Sequence, residues 1–96
     1  MITELQARYD TRQSFYGKAQ IETTQNKNVL DYKLLSYGTL VARVSTIGNT
    51  TQYFYFGKYS QTTTRHQKEF FKQNGLSDKE IKELIKNGTL TKEGSF

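Results

Sequence analysis

Four runs of alternating apolar and polar residues, separated by short turns, constrain this chain more than any other feature. From Ser14 to Thr24, Phe15, Gly17, Ala19 and Ile21 fall on one side and Tyr16, Lys18, Gln20 and Glu22 on the other, the period of a half-buried strand. Gly17 inside that run points to a bulge or a close backbone approach. Gln25-Asn26-Lys27-Asn28 is then a turn of residues that tolerate left-handed backbone. Val29 to Tyr37 reads as a second strand with Leu30, Tyr32 and Leu34 on one face, although Leu35 blurs the alternation. After the turn Tyr37-Gly38-Thr39, Leu40, Ala42 and Val44 alternate with Val41, Arg43 and Ser45, which directs Arg43 outward. Gly48-Asn49 supplies the positive dihedrals of a tight hairpin, and Thr51 to Phe56 forms the fourth strand. Parallel pairing needs long crossovers, so loops this short predict an antiparallel meander.

The pattern then changes to a helical period. Thr62-Thr63-Thr64 is a poor helix interior but a good entry, and Thr64 with Gln67 has capping-box spacing. A helix from about Thr64 to Asn74, ended by Gly75, presses Phe70 and Phe71 onto the sheet with Gln67 and Asn74 on the flanks. Ser77 with Glu80 is a second capping box, followed by Ile81, Leu84 and Ile85 and closed by Asn87-Gly88. The expected fold is α+β, a four-stranded antiparallel β-meander followed by two short C-terminal helices. Residues 1–13 are read as an N-terminal arm or short element, 14–76 as the meander-plus-helix core, and 77–96 as a short helix and loose tail.

A chain of 96 residues with 34% hydrophobic content must build its core from aromatics, here seven Tyr and six Phe. The absence of cysteine excludes a disulfide framework, a thiolate nucleophile and a thiol-ligated zinc, and fits a reducing compartment. The start Met1-Ile2-Thr3-Glu4-Leu5-Gln6 has no basic and apolar leader pattern, and no 18-residue apolar run occurs, so a cytoplasmic location is expected. The net charge is +5, and no acidic residue lies between Asp31 and Glu69. Such a field attracts nucleic acid or an acidic protein surface, and also keeps a small protein soluble.

Aromatic and basic residues converge between Tyr53 and Phe71, where a strand runs through a turn into a helix. Gly57-Lys58-Tyr59-Ser60 is not a phosphate loop, because position 52 is Gln and Tyr59, not Ser or Thr, follows the lysine. His66 is the lone histidine, with only Glu69 at helical spacing, so no metal site is expected. It also lacks an obvious nucleophile and orienting acid, so no catalytic residues, cofactor or enzymatic activity are expected. On the fourth strand either Tyr53 with Tyr55 or Phe54 with Phe56 must be buried, and the tyrosines are expected to face solvent. The expected partner-binding set is Arg43, Tyr53, Tyr55, Lys58, Tyr59, Arg65, His66 and Lys68.

Three stretches carry a resemblance: Tyr9-Asp10-Thr11-Arg12-Gln13-Ser14-Phe15-Tyr16-Gly17-Lys18-Ala19, Leu35-Ser36-Tyr37-Gly38-Thr39-Leu40-Val41-Ala42, and Tyr59-Ser60-Gln61-Thr62-Thr63-Thr64-Arg65-His66-Gln67-Lys68-Glu69-Phe70. Together they resemble a family of short proteins of unknown function carried by phages, plasmids and other mobile elements of Firmicutes. The resemblance covers roughly residues 5 to 76, leaving the last helix and tail outside. It implies a genomic context in which small non-enzymatic proteins block host machinery, including anti-CRISPR inhibition of a nuclease. The expected function is therefore inhibition of a host defence protein or nuclease–RNA complex through the basic and aromatic surface. Mimicry of DNA is not expected, because such mimics are acidic. The alternative is an accessory protein that binds single-stranded nucleic acid by stacking bases on rings while cations track phosphates.

Overall fold

Three two-residue turns fold the long strands back on one another: Lys27-Asn28, Tyr37-Gly38 and Gly48-Asn49. Tyr37 and Gly38 both have positive φ, 52° and 80°, the backbone that matches a two-residue hairpin to the twist of its strands. In the computed structural model, which describes residues 1–8 and 17–93, these hairpins join β2 (Ala19–Asn26), β3 (Val29–Ser36), β4 (Thr39–Ile47) and β5 (Thr50–Tyr55). Of the first motif, Tyr9 to Ala19, residues 9–16 lie outside the described residues, and with them Ser14, Phe15 and Tyr16 of the expected first strand.

The antiparallel meander and the two helices are as expected, but among the described residues the sheet has six strands, not four, in the order β1-β2-β3-β4-β5-β6. β1 (Ile2–Glu4) lies within the expected arm and pairs Thr3 with Ile21. The expected loose tail forms β6 (Thr89–Glu93), which pairs Leu90 with Tyr53 and makes β5 an interior strand. Both added strands are short and polar, so their own pattern is faint; the unpaired backbone groups of β2 and β5 bring them into register. Gly17 stands just before β2 rather than inside a strand, at φ +75°, and its N–H donates to Glu4 Oε1 at 3.0 Å. The blurred alternation near Leu35 is a β-bulge: Leu34 pairs with Ala42 and Leu35 with Leu40, leaving Val41 as the extra residue. Val41 and Ala42 are consequently both buried.

Both helices pack on one face of the sheet, α1 (Gln61–Gln73) over β3 and β4 and α2 (Asp78–Asn87) over β5 and β6. Helix α1 begins earlier than expected. Its N-cap is Ser60, whose Oγ accepts from the Thr63 N–H at 3.1 Å, while Thr64 bonds back to the Ser60 carbonyl from within the first turn. Ser77 and Glu80 form the expected capping box of α2, and Gly88 ends the helix at φ +83°. Between the layers lie Leu34, Val44, Tyr53, Phe70, Phe71, Ile81 and Leu84, with Leu5 and Ala19 closing one side. Phe70 and Phe71 are fully buried with their rings tilted 5.6 Å apart, and burial alone makes each worth about 1.5–3 kcal/mol.

Candidate functional site

Tyrosine, not phenylalanine, turns inward from β5. Tyr53 is 1% exposed and its hydroxyl donates to the carbonyl of Asn74, the residue that caps α1, at 2.9 Å. Burial pushes its phenol up, with Lys92 opposing and Glu80 reinforcing, and burial also raises half-buried Tyr55. The expectation that these tyrosines face solvent is therefore overturned. A phenol satisfies the half-buried helix-end carbonyl, to which a phenylalanine could not donate.

His66 is also interior, at 1% exposure. Its Nδ1 lies 2.8 Å from Ser36 Oγ, which is 2.9 Å from Thr63 Oγ1, and the Tyr37 ring tilts across it at 5.9 Å. This serine–histidine pair lies beneath α1, where it satisfies buried polar groups between helix and sheet. Gln67 does similar work: its Nε2 donates to the carbonyls of Val41 and Gly57, both at 3.0 Å, fastening the β5–α1 connection to the bulged strand. The buried Glu69 carboxylate accepts from the Arg8 N–H at 2.9 Å and from Gln73 Nε2 at 2.7 Å.

Among the described residues, the opposite face of the sheet carries no helix. On it Arg43 Nε donates to Asp31 Oδ1 at 2.8 Å, while the guanidinium carbon sits 5.7 Å from the centroid of Phe54. Phe54 stacks on Phe56, the ring planes 7° apart and the centroids 6.3 Å apart. Lys33 continues the row toward the other edge, 4.0 Å from Asp31 and 3.8 Å from Glu22. The result is a strip running from Glu22 on β2 through Lys33, Asp31 and Arg43 to the two rings. Its two cations and two acids cancel, so it favours mixed polar and aromatic contact over a run of phosphates. Leu40 and Phe56 add apolar surface at 39% and 42% exposure.

The eight expected residues are thus divided. Arg43 lies in the strip; Lys58 and exposed Tyr59 follow it on the β5–α1 connection; Arg65 and Lys68 sit on the outer side of α1; Tyr53, Tyr55 and His66 point into the fold. The strip residues not foreseen are Phe54, Phe56, Lys33, Asp31 and Glu22. Their available signal was strand parity, since Phe54 is the β4–β5 partner of Arg43. Among the described residues, no group of three or more His, Asp or Glu is arranged to hold a metal ion, and no helix is long and apolar enough to cross a membrane.

The model of a family described as a family of unknown function (DUF8033) matches residues 3–87. The match takes in α2, which the motif resemblance had left outside, and stops before β6. No curated protein and no solved structure matches the chain.

Proposed function

The chain belongs to the DUF8033 family of unknown function, and from that premise we propose that it is a non-enzymatic binding protein. Its role is to inhibit a host defence nuclease, or the nuclease–RNA complex, by covering part of it. The observation that carries this reading is the strip on the helix-free face: Arg43 held by Asp31 and laid over Phe54, with Phe54 stacked on Phe56. Aromatic residues and arginine are the side chains that dominate protein–protein contacts, and here they are positioned before any partner arrives. Lys58 and Tyr59 extend the surface along the connection. The charge balance of the strip favours a protein contact over a track for single-stranded nucleic acid. The motif resemblance to proteins of mobile elements supports host defence as the target and the bacterial cytoplasm as the place.

The test is a nuclease-protection assay in cells challenged with a targeted plasmid, comparing wild type with Phe54→Ala and Arg43→Glu. Wild type preserves the plasmid, and each substitution removes at least a tenfold share of that protection while the protein stays folded. Equal plasmid loss with and without the protein rules out inhibition of the nuclease tested. Full protection by both variants rules out the strip.

A further inference from the structure

Both helices carry cations at the same spacing. Arg65, Lys68 and Lys72 stand at i, i+3 and i+7 on α1, and Lys79, Lys82 and Lys86 repeat that spacing on α2. At 100° per residue, each set centres roughly opposite the buried stripe of its helix, Phe70 on α1 and Ile81 with Leu84 on α2. Both rows therefore project away from the sheet. Lys72 Nζ lies 3.1 Å from Asp78, where the two helices adjoin. Of the acids nearby, Glu69 is buried, Glu80 divides its oxygens between the Ser77 N–H and Lys92, and Asp78 takes Lys72. Exposed Glu83, at i+4 from Lys79 and i−3 from Lys86, offsets part of the α2 row, so the outer face keeps an excess of cations with α1 as its more basic half. Lys68, Lys79, Lys82 and Lys86 are exposed, and none forms an ion pair among the described residues.

We infer that the outer face of the helix layer binds the phosphate backbone of a nucleic-acid duplex. Each row spans about 10.5 Å, seven residues at 1.5 Å per residue, which matches roughly three phosphate steps at 3.4 Å along one strand. Duplex is favoured over single strand because, among the described residues, neither helix presents an exposed ring on which an unpaired base can stack. The aromatics of α1, Phe70 and Phe71, are buried, and α2 has none. Lysines act here as point charges without base-edge geometry, so binding is independent of sequence. This surface lies on the opposite side of the sheet from the aromatic strip and stands without the inhibitor reading.

The experiment is fluorescence anisotropy of the full chain with labelled 20-bp duplexes of two unrelated sequences, titrated between 50 and 200 mM salt. Four lysine contacts give a log–log slope of about −3.6, or a roughly 100-fold loss of affinity over that range, alike for both duplexes. The triple variant Lys68→Gln, Lys82→Gln, Lys86→Gln reduces the slope to about −1, single Lys82→Gln reduces it by about 0.9, and Phe54→Ala leaves it unchanged. No binding at 50 mM salt overturns the inference, as does a slope unchanged by the lysine variants. Equal binding of poly-dT, or displacement by poly-glutamate as effective as by unlabelled duplex, assigns the face to another ligand. A strip that fails in plasmid protection while this slope persists separates the two functions.

Discussion

Replacing Gln67 by glutamate changes little in shape but removes both donors from a site built on donation. Gln67 is 2% exposed, with Nε2 at 3.0 Å from two carbonyls and Oε1 without a partner among the described residues. Each lost hydrogen bond is worth about 1 kcal/mol net. An ionised carboxylate would in addition face two carbonyl oxygens in a site closed to water, so its folded-state pKa must rise above the ordinary value of about 4.3. For an acid raised in this way the penalty is absent below the unfolded pKa. It then grows by about 1.4 kcal/mol per pH unit until the folded pKa is reached. Gln67→Glu is therefore expected to cost about 1–2 kcal/mol near pH 4 and about 3–5 kcal/mol at pH 7. Gln67→Met, which loses the same donors without a charge, costs about 2 kcal/mol at every pH. Urea denaturation of wild type and both variants from pH 4 to 8 reads these differences directly. If the two variants track each other across pH, or both stay within 0.5 kcal/mol of wild type, Gln67 does not fasten the connection.

Tyr53→Phe should cost about 1 kcal/mol, roughly 4–8 °C in Tm for a domain of this size, by leaving the Asn74 carbonyl without its donor; a solvent-facing tyrosine would show no change. Glu80 is held below the usual carboxylate range first by the Ser77 backbone N–H and then by Lys92. Its stabilisation is complete above about pH 4.3 and disappears as pH falls through the lowered folded value. Glu80→Gln thus loses roughly 1 kcal/mol at pH 7 and matches wild type in strong acid, checked by thermal melts across pH. Ending the chain at Gly88 removes β6, leaves β5 as an open edge beside Tyr53 and should increase self-association over the full chain, read by light scattering. Phe54→Ala, on a half-buried ring outside the core, is expected to shift stability by less than about 1 kcal/mol.

Hairpins and capped helix ends were legible because their signals are local. Gly48-Asn49 and the Ser77–Glu80 box specify a turn and a helix start from a few adjacent residues. The edge strands were not, since Thr89 to Glu93 becomes a strand only when β5 offers an unpaired edge. Lys92 on the inward side of β6 then takes a carboxylate from α2, 2.9 Å away. The inward choice on β5 depended on one distant acceptor, the Asn74 carbonyl, which alternation cannot reveal. The same choice misplaced the candidate site: once Tyr53 turns in, Phe54 must turn out beneath Arg43. Ser60 displaced Thr64 as the cap because its Oγ reaches the Thr63 N–H while Thr64 lies already inside the helix.

The central claim is that the strip on the helix-free face touches a nuclease-complex protein, and photo-crosslinking from that face tests it most directly. A benzoylphenylalanine residue placed at Phe54 in host cells should give one dominant protein adduct that maps to the defence complex. The same probe at Asn49, an exposed residue of the β4–β5 turn, should give none. Identical adduct patterns from the two positions, or an adduct with no component of a nuclease complex, would contradict the account.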